Sequence, residues 1–189
     1  IYYYIMPIQT PICDFGQKAH TFELKSTDNK IISLEDIKGE NGTLIMFICN
    51  HCPYVKAVTK DIVEDCKELK KFGINSVAIC ANDAENYPED SFDNMIEFAK
   101  KNQFGFPYLN DETQEIAKKY DAVCTPDFFG YNKNLELQYR GRLRELKNLV
   151  PVRSGESDLL KAMKKIAETG KGPESQIPSA GCGIKWKNN

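Results

Sequence analysis

Two buried strands with an amphipathic helix between them follow one another within residues 43–80, and this succession limits the fold more than any other feature. Residues 43–49 and 75–80 are short apolar runs, as central strands have. Pro53 has the fixed φ that suits a first helical turn, and apolar residues then recur at steps of three and four, namely Val55, Val58, Ile62, Cys66 and Leu69. Such a unit joins parallel strands by a right-handed crossover. The sequence therefore predicts a parallel strand pair covered by a helix that ends at Gly73.

The segments on either side of this unit predict an α/β fold with a mixed sheet. Residues 20–24 and 30–33 read as an N-terminal strand pair around a turn at 26–29. Residues 88–101, with Phe92, Met95, Ile96 and Ala99 inward, and residues 113–120 read as helices. Residues 127–131 and 135–139 flank a turn and predict an antiparallel hairpin. A final helix is expected from the N-cap Ser157 to residue 169, closed by Gly170.

The chain as a whole is predicted to be one domain, residues 8–189, after a disordered leader at residues 1–7. The 25 basic and 27 acidic residues form no basic patch, so no nucleic acid is expected as a partner. The longest apolar run is far shorter than the roughly 20 residues that span a membrane. Seven scattered cysteines suit a reducing, cytoplasmic setting better than a disulfide framework. The C-terminal extension from residue 171 carries Cys182 and the single tryptophan, Trp186, which a disordered tail would not usually keep.

The motif Cys49-Asn50-His51-Cys52 is the candidate for chemistry. At the end of a strand and before a helix, Cys49 is expected near unpaired peptide N–H groups, which stabilise an anion and lower the pKa of the thiol. Only the thiolate attacks a disulfide, and lowering a thiol pKa from about 8.5 to about 7 requires roughly 2 kcal/mol. Cys52, one turn away, can resolve the mixed disulfide. A protonated His51 would add a nearby positive charge.

Two other interpretations of the motif are a metal site and an inert structural pair. A structural zinc site needs four ligands, and no second Cys-x-x-Cys or nearby histidine supplies them. The position between a strand and a helix favours a redox pair. No metal and no cofactor is predicted.

Pro126 and the remaining cysteines add to the candidate site. Pro126 starts the first hairpin strand, and its peptide bond is either cis or the trans bond of an edge strand. Cys124 lies near it and could exchange with Cys49 or pair with Cys182. Cys66 and Cys80 read as core residues, whereas Cys13, in an early loop, is compatible with either role.

Several strings together resemble one known family, the thioredoxin-like redoxins of the alkyl hydroperoxide reductase and thiol-specific antioxidant group, in particular a bacterial branch with a Cys-Asn-His-Cys-Pro motif. The resemblance covers nearly the whole chain from about Pro11. It rests on Phe47-Ile48-Cys49-Asn50-His51-Cys52-Pro53-Tyr54-Val55-Lys56, Asn82-Asp83, Tyr87-Pro88-Glu89-Asp90, Phe106-Pro107-Tyr108-Leu109, Cys124-Thr125-Pro126-Asp127-Phe128-Phe129-Gly130, Tyr139-Arg140-Gly141-Arg142 and Gly181-Cys182-Gly183-Ile184-Lys185-Trp186.

The resemblance implies a thioredoxin fold and a thiol-disulfide oxidoreductase acting on protein or small-molecule thiols and disulfides. It implies Cys49 as the attacking thiol, Cys52 as the resolving thiol, and Thr125-Pro126 as a cis-proline loop that holds the substrate backbone. The chain departs from thioredoxins proper, because Ile48 stands where they place Trp and residues 43–48 contain no acid. No oligomeric state is predicted.

Two alternatives remain open. The first is a thiol peroxidase that uses Cys52 or Cys49 to react with peroxides. Peroxiredoxins carry Thr-x-x-Cys before a proline, and Cys52-Pro53 resembles that Cys-Pro. The peroxidase site also needs an arginine, and Arg140 and Arg142 either reach the thiols or are exposed charges at the hairpin end. The second alternative is a redox-sensing or metal-binding module without catalytic activity.

Overall fold

A seven-stranded mixed sheet forms the centre of residues 6–188, the part of the chain that the computed structural model describes. The strands are β1 Ile8–Gln9, β2 Glu23–Ser26, β3 Ile31–Ser33, β4 Gly42–Phe47, β5 Ile74–Cys80, β6 Tyr108–Asn110, β7 Cys124–Thr125, β8 Asp127–Asn132, β9 Leu137–Tyr139, β10 Leu146–Lys147, β11 Val150–Pro151 and β12 Ala180–Gly183. The helices are α1 Leu34–Ile37, α2 Pro53–Lys70, α3 Phe92–Lys101, α4 Glu115–Lys119 and α5 Asp158–Thr169. The central sheet has the order β3-β2-β6-β5-β4-β8-β9, which confirms the predicted α/β class.

The predicted strand-helix-strand unit is present. Strands β4 and β5 pair in parallel, from Gly42 opposite Ile74 to Phe47 opposite Ile79, and α2 connects them. Pro53 is the first residue of α2, and the whole predicted apolar stripe of this helix is buried. Burying each such aliphatic side chain contributes about 1.5–3 kcal/mol, so the stripe fixes α2 against the sheet.

Strand β4 is buried on both faces because successive side chains of a strand point to opposite sides. Leu44 and Met46 pack in one core with residues of α2, α3 and α5. Ile45 and Phe47 pack in a second core with residues of α1 and α4. Helices therefore cover both faces of the sheet, and the end of β4 is held at a fixed position.

The hairpin predicted after Pro126 is also present, as β8 and β9. Strand β8 runs antiparallel to β4 and places Asp127 opposite Phe47. Because Pro126 precedes Asp127 and the Cys49 motif follows Phe47, this register brings the two predicted site segments to the same end of the sheet. The final helix begins at the predicted N-cap Ser157, whose hydroxyl accepts from the Leu160 N–H at 2.9 Å.

The C-terminal segment contains a strand that the sequence does not predict. Strand β12 lies between β1 and β7 in a three-stranded sheet and runs antiparallel to both. Residues 1–5 of the predicted leader lie outside the described residues, and Met6 and Pro7 have no regular structure. The boundaries of a single domain at 8–189 stay a prediction.

Several predicted boundaries are wrong. The strand predicted at 20–24 begins at Glu23 and continues to Ser26, whose N–H donates to the Lys30 carbonyl across the turn. The helix predicted at 88–101 is a short 3-10 turn, Pro88–Asp90, followed by α3, because Ser91 caps α3 separately. Of the four residues expected on its inner face, only Met95 is fully buried. No helix in the described part of the chain is both long and apolar enough to cross a membrane.

Candidate active site

The Cys49-Asn50-His51-Cys52 motif lies in the connection between β4 and α2. Strand β4 ends at Phe47, two residues before Cys49, and Cys52 is the N-cap of α2. The prediction that Cys49 directly precedes the helix is therefore wrong. The unpaired peptide N–H groups of the first helical turn are closest to Cys52, which is the position where a negative charge is most stabilised.

Thr125 contacts both thiols of the motif. The Cys49 Sγ lies 3.5 Å from the Thr125 hydroxyl, and the Cys52 thiol donates to the Thr125 carbonyl oxygen at 3.3 Å. The Thr125–Pro126 peptide bond is cis, as expected for one of the two alternatives at Pro126. The structure thus brings the predicted residues Cys49, Cys52, Thr125 and Pro126 together.

The two motif thiols ionise differently, although Cys49 and Cys52 are both buried, with 1% and 0% exposure. The pKa of Cys52 is lowered because the Cys182 and Cys49 thiols donate to its sulfur and the Val55 N–H faces it, and these contacts outweigh burial. The pKa of Cys49 is raised by its hydrogen bond to Cys52, by burial and by the nearby Asp90 carboxylate. The Thr125 carbonyl opposes the Cys52 thiolate, since its oxygen can only accept a hydrogen bond and therefore favours the protonated thiol. The predicted low pKa at Cys49 is wrong, because the helix terminus and the donors lie at Cys52.

Asp90 supplies a buried carboxylate that the sequence does not identify as a site residue. Its Oδ2 lies 2.6 Å from the His51 Nδ1 and accepts from the Asn82 side-chain amide at 2.9 Å. The His51 ring is turned so that an Nδ1 hydrogen would not point along this contact. His51 is 29% exposed at its side chain and stacks on Tyr87 at 6.2 Å. The string Tyr87-Pro88-Glu89-Asp90 was the only sequence signal for this carboxylate.

Asn50 fixes the loop between the two thiols. Its N–H donates to the Asp90 Oδ1 at 2.8 Å, and its side-chain amide donates to the Glu89 carbonyl at 3.1 Å. The buried Tyr108 hydroxyl donates to the Asn50 Oδ1 at 2.8 Å. Every polar group of the Asn50 side chain thus has a partner, so the loop conformation is held by β6 and by the 3-10 turn.

Cys182 and Cys124 do not face one another. Cys182 lies opposite Thr125 in the β12–β7 pair, and Gly183 lies opposite Cys124. Neighbouring residues of a strand point to opposite faces, so this register separates the two thiols. The Cys124 thiol donates instead to the Pro126 carbonyl at 3.6 Å, and burial raises its pKa. The predicted Cys124–Cys182 pairing is not supported, and Cys182 contacts Cys52.

Arg140 is not an exposed hairpin charge and does not reach the thiols. Its guanidinium donates to both carboxylate oxygens of Asp127, at 3.3 and 2.9 Å, and to the Asp121 carbonyl at 2.8 Å. It also lies over the Phe129 ring, with 4.3 Å to the centroid. Arg142 pairs with Asp158 at 2.7 Å. Neither arginine is therefore placed to stabilise an oxyanion at Cys52.

The other cysteines differ in burial. Cys66 and Cys80 are buried, as predicted for core residues, and burial raises the pKa of each thiol to about 12. Cys13 is half-buried, and burial raises its pKa to about 11. All three thiols are therefore protonated near neutral pH.

One set of potential metal ligands is present among the described residues. The ligand atoms of Cys49, His51 and Asp90 lie within 4.8 Å of one another. Three ligands are one fewer than a closed structural zinc site uses. Both oxygens of the Asp90 carboxylate already accept hydrogen bonds from asparagine donors. In this arrangement the Asp90 carboxylate is held by asparagine donors from outside the set.

Two surface pockets flank the motif. One, of about 230 Å³, is lined by residues that include Tyr54, Val58, Pro126, Phe128 and Ile177. The other, of about 540 Å³, is lined by residues that include His51, Lys56 and Phe98. Both pockets carry charged groups: Arg142 and Arg144 line the first, and residues that include Lys56, Glu89 and Glu97 line the second.

A mixed sheet, two cysteines at the start of the first crossover helix and a cis-proline opposite them define a thioredoxin-fold protein with a dithiol site. The chain matches the AhpC/TSA family over residues 15–145, about two thirds of its length, and it belongs to this family. The resemblance seen in the sequence is thereby confirmed.

Individual relatives agree with this assignment. The chain is 27% identical over 115 residues to the chloroplastic peroxiredoxin Q of Populus jackii, which covers 61% of this chain and 49% of that protein. It thus spans about half the length of the curated relatives that it matches. An uncharacterized conserved protein from Geobacillus kaustophilus is 41% identical, with a TM-score of 0.92 over 99% of this chain and 100% of that chain.

A more distant structure shows the fold. The thioredoxin domain of a thiol-disulfide oxidoreductase from Bacteroides vulgatus is 13% identical, with a TM-score of 0.57 over 67% of this chain and 86% of that chain. Of these three proteins, one is described as a peroxiredoxin and one as a thiol-disulfide oxidoreductase.

Proposed function

We propose that this protein is a thiol-disulfide oxidoreductase in which Cys49 and Cys52 alternate between a dithiol and a disulfide. The observation that carries the proposal is the contact of two buried thiols at the N-terminus of α2, both against Thr125. In each cycle the dithiol gives two electrons and two protons to a substrate disulfide, which leaves as two thiols. A protein or a small-molecule disulfide is the substrate class, and the reverse direction oxidises thiols.

The pKa directions favour Cys52 as the attacking thiolate and Cys49 as the resolving thiol, the reverse of the roles that the resemblance implies. Cys52 is the N-cap and accepts from two thiols, whereas Cys49 faces the Asp90 carboxylate. A thiolate forms where donors outnumber negative neighbours. His51, whose Nδ1 lies 2.6 Å from the Asp90 carboxylate, is assigned the role of modulating the pKa of the neighbouring thiols. A reducing, cytoplasmic setting is part of the proposal and rests on the odd number of cysteines.

Thr125 and Pro126 are proposed to form the substrate-binding edge. The contact of Thr125 with both sulfurs supports this role. In the structure this edge is paired with β12, with Cys182 opposite Thr125.

The test compares second-order rates of the reduced protein with hydroxyethyl disulfide, with insulin and with hydrogen peroxide. We expect the disulfides to react faster, and Cys52→Ser to abolish the reaction. Cys49→Ser combined with Cys182→Ala is expected to stall with the reagent bonded to Cys52, visible as an added mass, because neither neighbouring thiol is left to resolve it. The half-buried Cys13→Ser is the matched control and should react like wild type. A reagent trapped on Cys49 in Cys52→Ser would instead restore Cys49 as the attacking thiol.

A thiol peroxidase is the second candidate, and the observation in its favour is the Cys52-Pro53 step at the start of α2 in a member of the AhpC/TSA family. Against it, Arg140 is held by Asp127 and is not at the thiols. If peroxide reacts much faster than either disulfide and the reaction survives Cys49→Ser, the peroxidase replaces the oxidoreductase. If none of the three reagents reacts faster with this protein than with a free thiol, the site is a sensor without catalytic activity.

A further inference from the structure

Strand β12 brings a third thiol to the motif. Cys182 lies directly opposite Thr125, and directly opposed residues of an antiparallel pair have Cα atoms about 4.5–5.5 Å apart and side chains on the same face. Thr125 is also the residue that both motif thiols contact. Cys182 accordingly packs on the same apolar core as Cys49 and Cys52, in hydrogen-bonding contact with Cys52.

The three thiols have a definite order. Cys52 is the thiol that the other two share, because both Cys49 and Cys182 act on its pKa, and all three lie at Thr125. Cys49 and Cys52 are almost fully buried, whereas Cys182 is half-buried. A reagent approaching from solvent therefore meets Cys182 before either thiol of the motif.

We infer that Cys182 is a third redox thiol, which exchanges with Cys52 and carries the disulfide from the buried motif to thiols outside the protein. The inference rests on the proposed oxidoreductase function and assigns the residue through which the buried pair communicates with its substrates. It also differs from the pairing with Cys124 expected from the sequence, because the strand register turns Cys124 away.

The exchange needs no added oxidant. The hydrogen bond to the Cys52 thiolate, which is the main cause that raises the pKa of Cys182, is lost once Cys52 is in the disulfide. The Cys182 thiolate then attacks the Cys52 Sγ of the Cys49–Cys52 disulfide, the Cys52–Cys182 bond forms, and Cys49 leaves as a thiolate that takes up the proton released by Cys182. Two thiols outside the protein then reduce the Cys52–Cys182 disulfide. One forms a mixed disulfide with Cys182 and the second releases it, so the outside pair loses two electrons and the protein returns to three thiols.

The first experiment maps disulfides after oxidation by diamide, using variants that separate the pairs. Cys49→Ser is expected to form Cys52–Cys182 quantitatively, and Cys49→Ser with Cys124→Ser, the matched control, should do the same. Cys49→Ser with Cys182→Ala should form no intramolecular disulfide at Cys52. The inference is overturned if Cys182 stays free in Cys49→Ser while wild type is fully oxidised. Circular dichroism of each variant verifies that it is folded.

A second measurement follows the rate at which dithiothreitol reduces the oxidised wild-type protein. Cys182→Ala is expected to slow this reduction, because the buried Cys49–Cys52 disulfide loses its exchange partner. In Gly181→Ala the new Cβ would overlap the Thr125 carbonyl oxygen, which pushes β12 away from β7. In the Gly181→Ala background, adding Cys182→Ala should then have no further effect on the rate of reduction. Gly105→Ala, where a Cβ meets no atom within 4 Å, is the control.

The inference and the proposed function fail in different ways. If wild type and Cys182→Ala reduce insulin at the same rate and Cys182 is never found oxidised, the third thiol is refuted and the oxidoreductase stands. If Cys52–Cys182 forms in Cys49→Ser but wild type reacts with neither insulin nor hydroxyethyl disulfide, the oxidoreductase is refuted and the three-thiol exchange stands.

Discussion

Arg140 and Asp127 form a buried ion pair directly after the cis-proline, and removing the arginine should destabilise the protein strongly. The side chains of Arg140 and Asp127 are 7% and 0% exposed, and two hydrogen bonds join them. Arg140→Leu leaves a buried carboxylate without its countercharge. Breaking a buried pair in this way costs about 3–5 kcal/mol, and each kcal/mol lowers Tm by roughly 2–4 °C in a domain of this size.

The stability lost in Arg140→Leu should depend on pH, and the direction of this dependence follows from the pKa of Asp127. Burial raises the pKa of this carboxyl, while its hydrogen bonds and charge contact with Arg140 lower it. Without the arginine the folded-state pKa rises further above the unfolded value, so the folded variant binds a proton more tightly than the unfolded chain. Its stability is then highest at acidic pH and falls as pH rises toward neutral.

Urea unfolding of wild type and Arg140→Leu at about pH 5 and about pH 8 measures both effects. Asp127→Asn combined with Arg140→Leu removes the stranded charge and should recover most of the stability. The control is Arg153→Leu, because Arg153 also pairs with a buried carboxylate, Asp61, at 3.1 Å but is itself 50% exposed. Its loss should be below about 1 kcal/mol. Equal losses for both arginines, or a loss for Arg140→Leu that is the same at both pH values, would refute the reasoning.

Three further predictions concern single side chains. Burial raises the pKa of Asp65 to about 6, so the folded state holds this proton more tightly than the unfolded chain does. The stability of the wild-type protein should therefore fall as pH rises between about pH 4 and pH 7, by at most about 3 kcal/mol. Urea unfolding of Asp65→Asn should no longer show this pH dependence. Tyr108→Phe leaves the Asn50 Oδ1 without its donor and should cost about 1–3 kcal/mol by thermal unfolding, with ring packing kept. Asp90→Asn removes a negative charge beside Cys49, so alkylation of Cys49 near neutral pH should become faster, by about threefold for each pKa unit lost, because the larger thiolate fraction is partly offset by its lower nucleophilicity. An unchanged pH slope, an unchanged Tm or an unchanged alkylation rate would contradict the respective prediction.

The strand-helix-strand unit is predictable because side-chain period alone marks it. The stripe from Val55 to Leu69 specifies both the helix and the face that it buries. The proximity of Pro126 to the motif is also predictable. The strand that follows Pro126 pairs antiparallel with β4, so it begins at the end of the sheet where β4 ends. Local pattern is sufficient in these cases because each element buries its own apolar face.

Strand β12 could not be predicted in this way. Its sequence, Ala180–Gly183, has no apolar alternation, and its place between β1 and β7 is set by backbone hydrogen bonds that any residue type can make. Without this strand the position of Cys182 cannot be derived from the sequence. The pairing of Cys182 with Cys124, which the strand register does not support, was predicted for that reason.

The buried charges escaped prediction for a different reason. In the sequence Asp90 carries no signal beyond the string at residues 87–90, and Arg140 is compatible both with reaching the thiols and with an exposed hairpin end, where charged side chains mostly lie. Each is buried because groups from distant segments contact it: the Asn50 N–H and the Asn82 amide donate to Asp90, and the Asp127 carboxylate pairs with Arg140. The helix start at Pro53 is as predicted, whereas the preceding strand ends at Phe47, two residues earlier than expected, so Cys49 lies in the connection and Cys52 is the N-cap.

The pairing of β12 with β7 also has a consequence for biosynthesis. Cys49, Cys52 and Thr125 leave the ribosome long before Cys182, so the nascent chain carries its dithiol without the strand that later covers it. During that interval Cys52 lacks one of the two thiol donors that lower its pKa. The reactivity of the motif is therefore set only when the last strand has been synthesised and has paired, and a chain terminated before residue 180 would have differently tuned thiols.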